Sequence, residues 1–266
     1  MAEGDSVFRM ARLVEAAFDG REVVSAPAPN ARSPLRQTAS RLAGRELEDA
    51  RSQGKHLIFD FSGGLSLHAH MGMSGGWYVY APGQAWKRQR RSAWLVMDLG
   101  DREVVQFGGP TMRLVRKAEL GRDSRLALLG PDLLDPGFTP ETGAIAIETA
   151  GTVELGEALL DQRNLAGIGA IYCCESLFLC GVSPFTPVGQ VPDLSGLVTT
   201  AHRLLMRNAP RTSRSTTGDE RRPYYVYSRR RQPCRRCGTL IESGEQGRAP
   251  RARVMYWCPR CQARGA

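Results

Sequence analysis

No stretch of this 266-residue chain approaches the roughly 20 consecutive apolar residues that a membrane helix requires, although 42% of it is hydrophobic. That excludes a helical span and leaves enough apolar content for a sizeable core. The opening MAEGDSV carries Glu3 and Asp5 where a secretory leader would be basic and then apolar, so a cytoplasmic protein without a membrane partner is expected. No internal repeat is present, which excludes a solenoid. Lysine is missing altogether from residue 201 onward, where 16 arginines face 4 acids. That segment carries +12 of a total of +9, leaving −3 for residues 1–200. Apolar residues are scarce from residue 211 on, too scarce for a separate core. A field gathered at one end points to a polyanion, and nucleic acid is the commonest. The plainer alternative is an arginine-rich solvated surface, since runs such as Arg229-Arg230-Arg231 also occur in tails that bind nothing.

Seven cysteines are present, and they fall into two groups. Cys173, Cys174 and Cys180 lie in an apolar stretch and read as small hydrophobes. The other four form Cys234-x2-Cys237 and Cys258-x2-Cys261 with 20 residues between the pairs. Two such knuckles converge as four thiolates on one structural Zn²⁺, the spacing of a zinc ribbon. A pair of disulfides would need an oxidising compartment, to which nothing in the sequence points. Four cysteines close the metal site, so the ribbon is a holder. What it holds out is the basic hairpin with Arg248, Arg251 and Arg253.

Residues 5–19 place Val7, Met10, Ala11, Val14 and Phe18 at helical spacing, with Asp5 or Ser6 as cap and Gly20 after the end. Short segments of β-type alternation follow: REVVSA, KHLIFDF with Leu57, Phe59 and Phe61 on one face, and LSLHAHM with Leu65, Leu67, Ala69 and Met71 on one face. WYVYA, AWLVMDL, EVVQF and TMRLVRK continue the series. Many short, closely spaced strands argue for a sandwich or barrel. His68 and His70 share a strand face; a metal pair is one reading, and polar core or groove residues without a third ligand the better one. LGPDLLDPGFTPET reads as a boundary, and GAIAIETA, LGEALLDQ, IYCCESLFLCGV and DLSGLVTTAHRLLMR after it are helical.

Three separated stretches then agree with one another: MAEGD, LLDQRNLAGIGAIYCCESLFLCGVSP and CRRC…YWCPRCQ. Together, in this order, they resemble the formamidopyrimidine-DNA glycosylase and endonuclease VIII family of base-excision enzymes. The middle stretch looks like that family's helix–two-turn–helix element, and SQGKHLIF and HMGMSG resemble its N-terminal sandwich. The resemblance implies an α+β fold of two domains. These are an N-terminal catalytic β-sandwich flanked by helices (1–128) and, after a linker (129–140), a helical DNA-binding domain (141–228) carrying a zinc ribbon (229–266). It also implies that Met1 is removed and that the α-amine of residue 2 attacks C1′ of a damaged nucleotide flipped out of the duplex. The base leaves, a Schiff base forms and elimination cuts the strand. Glu3 matches the catalytic glutamate and Lys55 the lysine near the lesion phosphate. Met73 matches the residue that fills the gap left by the flipped base, and Arg253 the phosphate-gripping arginine of the zinc hairpin. Gly167 and Gly169, in the turn AGIG ahead of a helix, are expected to bring backbone N–H groups to a phosphate.

Three positions depart from the family pattern. Residue 2 is Ala rather than Pro, leaving a primary amine and an expectation of weaker strand cleavage. Ala170 stands where the family has a phosphate-binding Asn. Phe107 lacks the arginines that precede its counterpart in the glycosylase branch, although it is still expected to reach the DNA. Residues 211–227 are also short for that branch's loop over oxidised purines, so the endonuclease VIII side and oxidised pyrimidines are favoured. The expected partner is damaged DNA, duplex with single strands as a further form, engaged by a monomer associated with the nucleoid. Two alternatives stay open: a relative that binds damaged or unusual DNA without cutting it, and a zinc-ribbon protein that binds RNA.

Overall fold

The computed structural model describes residues 2–247 and 252–263, which divide into two compact units, Met1–Ala127 and Leu128–Ala266. In the first, helix α1 (Gly4–Phe18) buries Val7, Ala11, Val14 and Phe18, the stripe set by its apolar spacing. Its N-cap is Glu3, two residues ahead of the expected Asp5 and three ahead of Ser6. The Ser6 hydroxyl is instead used to lock Glu3 itself. Strands β1 (Leu47–Gln53), β2 (His56–Phe61), β3 (Leu65–His70) and β7 (Thr111–Arg116) form an antiparallel sheet in the order β1-β2-β3-β7. Strands β4 (Gly76–Tyr80), β5 (Leu95–Asp98) and β6 (Glu103–Phe107) form a second, in the order β4-β6-β5. One core joins both sheets to α1: Leu57, Phe59, Phe61, Leu65, Leu67 and Ala69 meet Trp77, Leu95, Met97 and Val104. Phe59 meets Trp77 edge-on at 4.9 Å and Phe18 meets Phe61 at 5.7 Å, which joins the layers through aromatic contacts.

REVVSA is not a strand. Its backbone divides its hydrogen bonds between two neighbours, Val23 N–H to the Arg45 carbonyl and Val24 N–H to the Asp98 carbonyl, so no ladder forms with either. The opposite departure is β1, whose polar sequence LEDARSQ hides an edge strand with only Ala50 buried. Short helices α2 (Lys117–Leu120) and α3 (Ser124–Ala127) close the unit.

The second unit is helical at its centre. Helix α4 (Pro140–Glu148) starts with proline at its first turn, where the missing N–H costs nothing, and Thr139 accepts from Thr142 N–H. Helix α5 (Leu155–Leu160), the almost wholly buried α6 (Ala170–Cys180) and α7 (Leu194–Asn208), capped by Asp193, pack around one another. Strands β8 (Glu242–Gln246) and β9 (Arg253–Trp257) form a hairpin, and β9 lies against α6. Met255 is fully buried there, and Tyr256 N–H points at Cys174 Sγ at 3.3 Å. The tail thus uses the helical core in place of one of its own. Cys173 and Cys174 are buried as expected, whereas Cys180, in the last turn of α6, is exposed.

Candidate active site and metal centre

Residue 2 is not frayed. Ala2 is half-buried against the core of the first unit, and Glu3 is wholly buried at the N-cap of α1. Glu3 N–H donates to Ser6 Oγ (3.1 Å), and the Ser6 hydroxyl donates back to the Glu3 carbonyl (2.9 Å), which also accepts from Ser6 and Val7 N–H. The positive end of a 15-residue helix therefore faces the Glu3 carboxylate. Met1 lies outside the described residues.

The strand register gathers other candidates at one end of the first sheet. His56 pairs with His70, and His70 with Thr111. Half-buried Lys55, in the turn between β1 and β2, therefore shares that end with the turn leaving β3, which carries Met73, and with the segment entering β7. Met73 is 75% exposed, an apolar side chain held out at the tip of a turn. The turn is braced at its base: Gly72 N–H donates to His70 Nδ1 at 3.1 Å, and Gly109 (φ 116°) passes so close to the His70 carbonyl that a Cβ would stand 2.6 Å from its oxygen. Phe107 is placed differently from its expected role. Only 1% exposed, its ring packs between Tyr78 and Trp86 on the outer face of the second sheet, and it would have to leave that packing to meet a base.

His68 and His70 belong to a larger group that includes His56, Arg113 and Asp123. Arg113 Nε donates to His68 Nδ1 (3.0 Å), which leaves His68 Nε2 to carry the proton toward His56 Nδ1 (2.9 Å). Asp123 anchors Arg113 at the far end. Because an arginine only donates, it fixes the tautomers of both rings. Burial, then the neighbouring histidines, lower the pKa of His56 to about 3; burial and then Arg113 lower that of His68 to about 4. Burial and Lys55 also lower that of His70. The group is a neutral hydrogen-bonded brace, and among the described residues only the four cysteines gather as a possible metal site. Alternation had marked His68; Arg113 and Asp123 gave no sequence signal.

In the second unit, Gly167 (φ 92°) turns the chain ahead of α6, and Gly169 is the helix N-cap. The Gly167 N–H is already used, donating to Gln162 Oε1 (3.1 Å), while Gln162 Nε2 donates to the Leu160 and Ile168 carbonyls. Gln162 thus fixes the turn, and the expected use of the Gly167 amide for phosphate is corrected accordingly. Ala170 is the first residue of α6, 4% exposed. Arg253 is exposed at the start of β9; Arg248 and Arg251 lie outside the described residues.

Two further features hold the arginine-rich tail. Glu175, fully buried on α6, accepts from Tyr225, Val226 and Tyr227 N–H (2.8 Å each) and from the Thr216 hydroxyl. Burial raises its pKa against the pull of these four donors. The Sγ atoms of Cys234, Cys237, Cys258 and Cys261 lie within 4.8 Å of one another, with Cys234–Cys261 at 3.9 Å and Cys237–Cys258 at 3.5 Å. Such separations exclude disulfides, and a tetrahedral metal with Zn–S bonds of about 2.3 Å would set its sulfurs about 3.8 Å apart. Arg236 N–H and Cys261 N–H point at the sulfurs of Cys234 and Cys258, support suited to thiolates.

Residues 1–112 match the sequence profile of the formamidopyrimidine-DNA glycosylase N-terminal domain. Over 266 residues the chain is 41% identical to the probable endonuclease 8 2 of Streptomyces coelicolor, covering 99% of this chain and 94% of that protein. It is 37% identical over 265 residues to the DNA-(apurinic or apyrimidinic site) lyase Nei2 of Mycolicibacterium smegmatis, covering 98% and 99%. Among solved structures, Lactococcus lactis Fpg in complex with abasic-site DNA matches with a TM-score of 0.83 at 22% identity, covering 98% of this chain and all of that one. The last is a likeness of fold, and it spans both units. With identity of this level running from end to end, the chain belongs to the formamidopyrimidine-DNA glycosylase and endonuclease VIII family.

Proposed function

We propose that the protein is a base-excision repair DNA glycosylase with lyase activity on abasic sites, acting on oxidised bases with pyrimidines favoured. The observation that carries this reading is the fixed N-terminus, with Ala2 packed on the core and Glu3 buried under the end of α1. An α-amine has a pKa near 7.7–8.0, so on the order of a tenth is neutral at pH 7. The α1 dipole and a nearby Lys55 would both disfavour an ammonium there. Once Met1 is removed, the Ala2 nitrogen bonds to C1′ as the glycosidic bond breaks, and the base departs with the bonding electrons. Ring opening gives an imine, and loss of a C2′ proton expels the 3′ phosphate. Glu3 takes and returns protons at the sugar. A primary amine's imine must itself be protonated to draw electrons, so strand cleavage is weaker than with a proline terminus.

Met73 occupies the gap left by the extruded nucleotide, a role that suits an exposed, flexible apolar side chain. Lys55 and Arg253 contact phosphates, and the turn at Gly169 and Ala170 meets the backbone. One Zn²⁺ held by the four cysteines keeps the hairpin in shape and takes no part in the chemistry. The preference for pyrimidines rests on the short 211–227 segment and on relatives named endonuclease 8. The protein works on DNA as a monomer in the cytoplasm; no helix among the described residues is long and apolar enough to cross a membrane.

Borohydride trapping on abasic-site DNA tests the reading. The expected product is a covalent adduct whose protein part lacks Met1, formed by the wild type and lost with turnover in Glu3→Gln while affinity remains. A wild-type protein that binds the same duplex but never traps would be the relative that does not cut.

A further inference from the structure

The segment AWKRQRRS puts Lys87, Arg88, Arg90 and Arg91 within five residues, all exposed, in the connection between β4 and β5. A run of this kind is ordinarily a solvated loop. Here it is fastened to the outer face of the second sheet. Trp86 stacks on Tyr80 (5.6 Å between centroids, 20° between planes) and meets Phe107 edge-on, and its indole N–H donates to Glu103 Oε2 at 3.1 Å. Arg90 lies over the Trp86 ring at 4.6 Å and pairs with Glu103 Oε1 at 3.0 Å. Lys87 N–H donates to the Tyr80 hydroxyl at 3.2 Å. Both oxygens of Glu103 are thus engaged, and of the four cations only Arg90 is neutralised by it.

The remaining charge is directed. Lys87 Nζ stands over the Tyr78 ring at 5.1 Å. The Arg88 guanidinium stands over Phe107 at 5.6 Å, with Nη2 3.5 Å from the Ser74 carbonyl, next in sequence to the exposed Met73. Neither contact uses up the charge, since a ring face and a carbonyl leave donors available to an anion. A guanidinium already held in place loses little freedom when it takes a phosphate in two-point contact.

We propose that residues 81–92 form a phosphate-binding platform on the N-terminal unit, in which Lys87 and Arg88 grip the DNA backbone beside the turn that carries Met73. This rests on the functional reading above, which supplies the DNA. Trp86, Arg90 and Glu103 are positioning residues: they hold the loop on the sheet and leave the contact to its neighbours. Phe107 acquires a use consistent with its burial, as the floor on which Arg88 lies. The platform also supplies, from another loop, a cation next to the wedge in a chain whose β6 has EVVQF and no arginine ahead of Phe107.

The test is the salt dependence of binding to a duplex containing one reduced, non-cleavable abasic site, followed by fluorescence anisotropy. Each phosphate contact contributes about 0.9 to the slope of log K against log salt, so Lys87→Ala/Arg88→Ala is expected to flatten it by about 1.8. Arg88→Lys should keep most of the slope, and Arg12→Ala, on the exposed side of α1, all of it. The exposed positions of Lys87 and Arg88 lead us to expect an unchanged melting temperature in the double variant. A double variant with the wild-type slope, from a wild type that binds and traps, overturns the platform alone. A wild type that does not bind the duplex overturns the functional reading, and the platform with it.

Discussion

The two units hold out their charged groups by different means. In the first, Lys55, Met73 and the 81–92 loop stand on strands backed by a continuous two-sheet core. Among the described residues of the tail, 211–263, few apolar groups are buried: Val226, Ile241 and Met255 beside two of the cysteines. Side chains reaching across do the holding instead. Glu175 takes the backbone at 225–227, Gln246 Nε2 reaches Glu154 and the Pro184 carbonyl, and Gln262 ties Cys258 N–H to the Val182 carbonyl. Burial shared among many residues weakens by degrees, whereas discrete attachments fail one at a time. The tail should therefore respond to single changes far more sharply and more locally.

The largest such change is loss of the metal. Structural zinc in small ribbons contributes apparent binding energies of about 10–16 kcal/mol at pH 7, and little else holds the knuckles. Metal analysis should find one zinc per chain, and Cys258→Ser or a strong chelator should release it. DNA affinity should then fall on the order of a hundredfold as the hairpin arginines lose their placement. Protease should cut within 229–263 while the first unit keeps its melting transition; a single transition that shifts as a whole would count against separate means of support. Next comes Glu175→Ala, which strands three amides at about 1–3 kcal/mol each. Hydrogen exchange should quicken at 225–227 and leave β2 and β3 protected. Leu67→Ala costs a comparable 2–5 kcal/mol by core truncation, but should lower the whole first unit.

A smaller, pH-dependent effect belongs to the first unit alone. His56 faces His68, His70, Asp123 and Arg125, and His68 also faces Arg113; the pKa of His56, about 3, and that of His68, about 4, both lie below the ordinary 6.5. The unfolded chain therefore takes up protons first. The stability these rings contribute is complete above pH 6.5 and is lost as pH falls from there toward 4 and 3, by roughly a few kcal/mol in all. Denaturant midpoints measured between pH 7 and 4 should fall steadily in the wild type and less steeply in His56→Phe. Equal slopes would mean that the rings titrate normally in the folded state.

Much of this was legible in the sequence, and the part that was not has a common cause. Strands β2 and β3 showed themselves because Leu57, Phe59, Phe61, Leu65, Leu67 and Ala69 alternate, and the four cysteines because their spacing is a chemical requirement. Alternation, however, suggested one buried face. The opposite face is buried too, with Asp60, Ser66 and His68 each at 1% exposure or less. Those polar residues pair with Arg51, Lys117 and Arg113, contributed by other strands and by α2, and such partners leave no periodic trace. The same holds for Glu175, the one charged letter in the sequence of α6, and for Gln162, one of four consecutive polar letters in DQRN that nothing sets apart. Strand β1 was hidden because an edge strand with one buried residue has no pattern, and REVVSA misled because it has one and divides its bonds. Phe107 was placed by resemblance in contact with DNA; its burial is set by Trp86, whose loop aligns with no motif.

The smallest expected effect separates grip by charge from grip by hydrogen bond in the second unit. Ala170 begins α6, just after the Gly169 cap, where its methyl offers no donor. Ala170→Asn would add one uncharged amide toward a phosphate, tightening binding by about 0.5–1.5 kcal/mol, or roughly two- to tenfold. Because a neutral donor displaces no counterion, the salt slope should stay where it was. That outcome distinguishes the site from the 81–92 loop, where affinity and slope should move together. The position is 4% exposed, so the melting temperature must be followed alongside. A variant that folds as the wild type does and binds no more tightly would mean that this turn does not meet the backbone, and that the second unit grips by its arginines alone.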